Sequence, residues 1–192
     1  MCEDDDRVLG PTTVSRWSYS TAKAIDEHLA FAYAASSLPI VIVRYFNSYG
    51  PRIDERGYGS VVANFLRQAL AGEPMTVHGD GRQSRCFTYV DDTVRGTVAA
   101  GFTPEAEGLV INLGNPRETS ILELAEMIKA AVGSDSPVQP TAYESYYGPG
   151  FEDTRRRVPD ITRAREILDW EPEVALEEGL ARTVEWWCKT HG

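Results

Sequence analysis

Apolar positions follow two rhythms that alternate along the chain. From Tyr19 to about Ala35, Ile25, Leu29, Ala32 and Tyr33 recur at three- and four-residue steps, the period of an amphipathic helix, and Pro39 ends it. Ile40 to Phe46 runs without alternation, as expected of a strand buried in a parallel sheet. A loop from Asn47 to Gly59, punctuated by Gly50-Pro51, leads to a helix at Val61–Leu70 that Gly72 stops. Met75–His78 reads as a short strand closed by the turn Gly79-Asp80-Gly81, and Phe87–Val90 as another. Asp91 or Asp92 can cap a helix from Thr93 to Gly101. Leu109–Leu113 is a second unbroken apolar strand. Thr119 or Ser120 then caps a helix reaching Ala131, with Glu123 in its first turn. Helices at Ile161–Leu168, opened by Asp160, and Leu176–Cys188 complete the pattern. Strands alternating with helices predict an α/β fold.

Composition narrows the functional classes. The 192 residues suit one domain or two small ones, and 42% apolar residues is an ordinary globular fraction. A net charge of −10 argues against non-specific nucleic-acid binding, which needs a basic face. It leaves room for an anionic small ligand, because a few arginines reverse the field inside a cleft. Cys2, Cys86 and Cys188 form no CxxC pair, so neither a disulfide framework nor a zinc site is expected, and a reduced, cytoplasmic setting is the simplest reading. His28, His78 and His191 lack ligand spacing, so no metal is expected. No stretch approaches the roughly 18 apolar residues of a membrane span. The acidic start, Met1 to Asp6, has no apolar region, so no signal peptide is read there.

Candidate chemistry begins with Tyr19 and Lys23, a YxxxK pair whose four-residue spacing places both side chains on one helix face. A neighbouring ammonium favours the phenolate, so such a tyrosine can take a hydroxyl proton near neutral pH. The same pair is also what an ordinary helix surface would carry. The segment Arg44–Pro51 follows a parallel strand, and loops at the carboxyl ends of such strands are where α/β sheets bind ligands. Asn47 there can donate to a phosphate or sugar oxygen, or simply make a turn. In Gly72–Asp92, a strand, a glycine turn and a second strand would aim Arg85 into a cleft, where a guanidinium could hold a diphosphate in bidentate fashion. Arg82, in the turn itself, reads as a solvated surface charge. The glycine-rich turn that seats a dinucleotide pyrophosphate, GxGxxG or GxxGxxG, occurs nowhere in the sequence.

Taken in order, Tyr19/Lys23, Arg44–Pro51, Gly79–Asp92 and the tail Arg157–Ala164 with Leu168–Pro172 resemble the extended short-chain dehydrogenase/reductase family. That family includes UDP-sugar 4-epimerases, UDP-glucuronate decarboxylases and dTDP-glucose 4,6-dehydratases. The resemblance runs from about Val8 to Trp187. It implies an incomplete, doubly wound Rossmann-type sheet, the carboxyl-terminal half of one, beside a smaller α/β substrate-binding domain. Residues 1–50 and about 88–115 would belong to the cofactor side, and about 51–87 and 116–192 to the nucleotide-sugar side.

The resemblance also implies roles. Tyr19 would be the catalytic base, and Lys23 would hold the nicotinamide ribose of NAD and tune Tyr19. Tyr45 and Phe46 would line the cofactor site and Asn47 the sugar-diphosphate site. Thr76, Val77 and His78 would pack on the nucleotide base. Arg85 would act on the diphosphate or sugar, and Asp153, Arg156 and Arg157 would clamp ribose and phosphates. Arg85–Thr88 and the stretch Ser145–Asp153 look most like a bacterial UDP-glucuronate decarboxylase. The expected activity is therefore NAD-dependent modification of a UDP-sugar through a 4-keto intermediate, most like decarboxylation, with 4-epimerisation or 4,6-dehydration as alternatives. A truncated, non-catalytic nucleotide-sugar-binding module is the alternative of another class, because the glycine-rich half and the family's catalytic Ser/Thr are missing from this sequence. A homodimer through the Tyr19 helix is expected, with no nucleic-acid or membrane partner.

Overall fold

A computed structural model describes residues 1–14, 16–54, 60–142 and 153–191. Of the stretch Ser145–Asp153, residues 145–152 lie outside the described residues. The helices are α1 (Arg16–Ala34), α2 (Val61–Leu70), α3 (Val90–Phe102), α4 (Ile121–Val132), α5 (Thr162–Leu168) and α6 (Leu176–His191). The strands are β1 (Ile42–Tyr45), β2 (Ser48–Tyr49), β3 (Met75–His78), β4 (Ser84–Cys86), β5 (Thr88–Tyr89), β6 (Val110–Leu113), β7 (Glu118–Ser120) and β8 (Val138–Thr141). β1 pairs with β6, β2 with β5 and β3 with β8, all parallel, and β4 pairs with β7 antiparallel.

Local signals account for most of these elements. Ser60 caps α2 by accepting from Ala63 N, and Ser120, the second of the two expected candidates, caps α4 by accepting from Glu123 N at 3.1 Å. Gly133 ends α4 in the left-handed conformation at φ 67°, which suits a residue without Cβ. α3 departs from expectation. It starts at Val90, so Asp91 and Asp92 lie inside its first turn, where their charges suit the positive end of the helix dipole without capping it. Asp92 instead turns away from the helix end to accept from Glu173 N and Val174 N.

Two apolar clusters form. The larger joins α2, β3, β5, α4 and α6 through Phe65, Leu66, Met75, Leu124, Ile128, Leu180 and their neighbours. The second joins α3, β6 and α5 around Ile111, Leu113, Leu168 and Trp170, with Val41 and Val43 against it.

The sheet of β1 and β6 is open on one side. Ile42 N donates to Leu109 O and Phe46 N to Leu113 O, so in a parallel ladder the backbone groups of Val43 and Tyr45 point to the other edge. No described strand pairs there. β1 is consequently half-buried to exposed, where its unbroken apolar run predicts full burial. The apolar stripe of α1 also differs from expectation, since Ile25 (53%), Leu29 (52%) and Tyr33 (61%) are exposed. What ties α1 to the sheet is polar. Arg44 on β1 donates twice to the Glu27 carboxylate, at 2.8 Å each.

Candidate functional site

The site is assembled at the carboxyl end of β1 and along β4. The chain leaves β1 through Asn47, whose φ of 38° lies in the left-handed region that Asn tolerates better than most residues. Thr88 fixes this corner from both sides: its N donates to Asn47 O, its hydroxyl donates to Phe46 O, and it accepts from Asn115 N. Asn47 can therefore hold its amide still. Its Nδ2 donates to Cys86 O at 3.1 Å and its Oδ1 accepts from Arg157 at 3.2 Å.

On β4, Arg85 is buried and its guanidinium is fully directed. It donates to Ser84 O and Thr154 O and to Asp153 Oδ1, each at 2.7 Å. Ser84 also bridges Arg156 and donates from its N to Arg155 O, so the segment from Asp153 to Arg157, bent at Arg155, lies alongside β4. Arg156 pairs outward with Glu118 at 2.7 Å.

A cavity of about 510 Å³ opens here, lined by Asp80, Arg82, Gln83, Asp153 and Arg155. Gln83 crosses behind it and donates to His78 O. Burial pushes the His78 imidazole below its ordinary value, with the Asp153 charge acting in the opposite sense. The other two residues of that strand face differently. Val77 is in the core, and Thr76 is engaged by Gln68 through both its N and its hydroxyl.

Tyr19 and Lys23 lie on a separate element. Tyr19 is 70% exposed, and Lys23 is exposed with its ammonium 2.9 Å from Asp26. The Asp26 hydrogen bond raises the Lys23 pKa, and the charge of Tyr19 acts in the same direction. Glu27 is level with Arg44, and α1 returns along β1 through a short connection. Lys23 and Tyr19 lie one and two turns from Glu27 toward the amino end of α1, at about 6 Å and 12 Å of helix rise. Tyr45, exposed, shares a hydrogen bond with Thr97, and Phe46 is buried against Gly114 and Pro159.

The structure thus brings Asn47, His78, Arg85, Asp153 and Arg157 together. It keeps Thr76 and Val77 in the packing and Arg156 on the outside. Sequence reasoning missed Arg155 and Gln83 and set Arg82 aside. Among the described residues no cluster of His, Cys, Asp or Glu could hold a metal ion, and no helix is long and apolar enough to cross a membrane.

Fold and site together define an α/β protein with a polar cavity, and comparison places the family. The sequence profile of the GDP-mannose 4,6-dehydratase family matches residues 10–183, and the chain belongs to that family. A UDP-N-acetyl-alpha-D-glucosaminuronate decarboxylase of Bacillus cytotoxicus is 44% identical over 184 residues, 96% of this chain and 57% of the relative. The UDP-glucose 4-epimerase of Thermotoga maritima, solved with UDP-glucose, superposes with a TM-score of 0.82 at 37% identity, covering 91% of this chain and 54% of the other. The UDP-glucuronic acid 4-epimerase of Bacillus cereus, solved with UDP-glucuronic acid and NAD, gives 0.80 at 34% identity, covering 90% and 53%. The chain spans about half the length of the relatives it matches.

Proposed function

We propose that this chain carries the nucleotide-sugar site and the catalytic tyrosine helix of an NAD-dependent enzyme that decarboxylates a UDP-linked uronic acid. The observation that carries this reading is the set of contacts joining Asn47, at the end of β1, to β4 and Arg157, and Arg85 to Asp153 beside His78, in a chain 44% identical to a UDP-sugar decarboxylase. The cofactor side would comprise residues 1–50 and about 88–115, joined by 161–170 through the packing of Ile161, Leu168 and Trp170. Residues 51–87 and most of 116–192 would form the sugar-nucleotide side. The open edge of β1 is where the remaining half of the enzyme would continue the sheet. The exposed stripe Ile25, Leu29 and Tyr33 is the face we assign to a homodimer.

What supports a nicotinamide cofactor is that the Tyr19 side chain and the Lys23 ammonium are exposed, open to a ligand. NAD held there would supply the hydride acceptor for C4 of the sugar. Tyr19 takes the proton of the 4-hydroxyl, and Lys23, kept charged by Asp26, sits one turn away to favour negative charge on the phenol oxygen. A carboxylate on C5 is then β to the 4-keto group: the C5–C6 bond breaks, CO₂ leaves, the electron pair passes into the C4–C5 enolate, and C5 takes up a proton. Binding energy from the nucleotide, gathered at the cavity, orients the sugar for these steps.

The test uses the complete enzyme with NAD and, separately, UDP-glucuronic acid and UDP-glucose, followed by mass spectrometry and proton NMR of the sugar nucleotide. Loss of CO₂ from UDP-glucuronic acid supports the reading. An inverted C4 at unchanged mass identifies an epimerase, loss of water from UDP-glucose a dehydratase, and unaltered spectra for both a binding module.

A further inference from the structure

We infer that Arg7 is a positioning residue for Tyr19, tying the turn of α1 that carries the phenol to the sheet of β1 and β6; this rests on the reading of Tyr19 as the base. None of the described residues of α1 is buried. Its half-buried face consists of Trp17, Ser20, Ala24, Glu27, Ala30 and Ala34, and beyond the one indole these are small or polar. Such a face offers few ridges to lock into a neighbour, so directed contacts must set where the helix lies. Arg44 supplies one, with two bonds to the Glu27 carboxylate at 2.8 Å each. A single anchor fixes a point on a helix and leaves its direction free.

Arg7 supplies the second anchor. Its guanidinium donates to Ser20 O at 2.9 Å and stands 3.6 Å from Glu27 Oε2. Side chains on a helix lean toward its amino end, so the Glu27 carboxylate reaches back over the turn of Ser20 and one guanidinium meets both. A backbone carbonyl has two lone pairs, so Ser20 O can accept from Arg7 without giving up its place in the helix. Ser20 directly follows Tyr19, and the bond therefore holds the peptide on the carboxyl side of that residue. Arg7 is itself delivered by a segment fastened to the sheet. The buried Glu3 accepts from Asn112 N of β6 through its carboxylate and from Arg44 of β1 through its carbonyl. Asp4 pairs with Arg163 of α5 at 2.6 Å. Without Arg7, Glu27 would still hold α1 to β1, but the turn of Tyr19 could swing. A displacement of about 1 Å near a reacting group can cost about a hundredfold in rate. The Arg7 side chain is 39% exposed, so its loss takes little from global stability.

Arg7→Gln and Arg7→Lys test this in two settings. In the complete enzyme, conversion of UDP-glucuronic acid under enzyme excess with NAD gives a rate constant, which reports positioning, and an amplitude, which reports the folded, competent fraction. Arg7→Gln should lower the rate constant by about tenfold to a hundredfold and leave the amplitude and the KM for the sugar nucleotide unchanged. Arg7→Lys keeps the charge and a donor for Ser20 O and should recover the larger part of the loss. In this chain alone, hydrogen exchange read by mass spectrometry should quicken about tenfold at the amides of Ser20 to Ala24 in Arg7→Gln and stay unchanged at Phe31 to Ala34. An unchanged rate constant, a reduced amplitude with the rate constant kept, or unaltered exchange along α1 overturns the inference. Tyr19→Phe separates the two readings. If that enzyme keeps its turnover, the reading of Tyr19 as the base fails; if it is inactive beside a fully active Arg7→Gln enzyme, the positioning role alone fails.

Discussion

Asn47 and Arg157 lie 110 residues apart in sequence, yet the Arg157 guanidinium donates to the Asn47 amide oxygen at 3.2 Å. The same amide donates to Cys86 O, so one side chain in a left-handed backbone joins the end of β1, β4 and the carboxyl-terminal arginine segment. Asn47→Gly keeps the backbone easy and removes only the amide. Asn47→Ala removes the amide and adds backbone strain. Urea denaturation should show Asn47→Gly losing about 1 kcal/mol and Asn47→Ala about 2 kcal/mol or more. Equal losses would mean that the left-handed conformation carries no cost.

Glu27 gives the fold a pH dependence. The hydrogen bond from Arg44 holds its carboxyl below the ordinary value of 4.5, against the opposing effect of burial. A folded-state pKa below the unfolded one adds stability that is complete above about 4.5 and disappears as pH falls through the lower, folded value. Thermal unfolding from pH 7 to pH 3 should lose a contribution of order 1 kcal/mol in that window, and Glu27→Gln should remove it. A Glu27→Gln profile parallel to that of the unaltered chain would contradict the assignment.

Asp92 is 2% exposed and receives the N–H groups of Glu173 and Val174 as well as Arg95 at 2.8 Å. It clasps the chain leading into α6 onto α3. Asp92→Ala would leave two backbone donors without their acceptor and should cost on the order of 3 kcal/mol, measured by urea denaturation. A loss below about 1 kcal/mol would show that water replaces the carboxylate.

Gly179 meets Tyr49 so closely that an added Cβ would stand 2.0 Å from the tyrosine oxygen, which itself donates to Leu176 O. Gly179→Ala should destabilise by about 1–3 kcal/mol. Removing the hydroxyl with Tyr49→Phe should recover part of that loss, so the two substitutions should be non-additive in a double-mutant cycle.

Periodicity located β1, β3, β6, α2 and α4 because each carries its own local signal. The short β7 and β8 did not show, because three or four residues gain strand character only from a partner, β4 and β3 respectively. The α1 stripe was legible as a helix face, but periodicity does not say what covers it. At the site, Asn47, Arg85 and Asp153 stood out as residue types in motifs. Arg155 stayed hidden in a run of three arginines, because choosing among them needs the register set by the Ser84–Arg156 bridge. Arg82 was passed over because a charge in a turn looks solvated until the segment from Asp153 closes the cavity beside it.

The central claim is that the Tyr19 phenol removes the sugar hydroxyl proton, and Tyr19→Phe in the complete enzyme tests it most directly. Steady-state turnover with UDP-glucuronic acid and NAD should fall by about 10²–10⁴, with KM for the sugar nucleotide little changed, because the ring that packs at the site is kept and only the base is lost. Turnover within about tenfold of the unaltered enzyme would contradict the account.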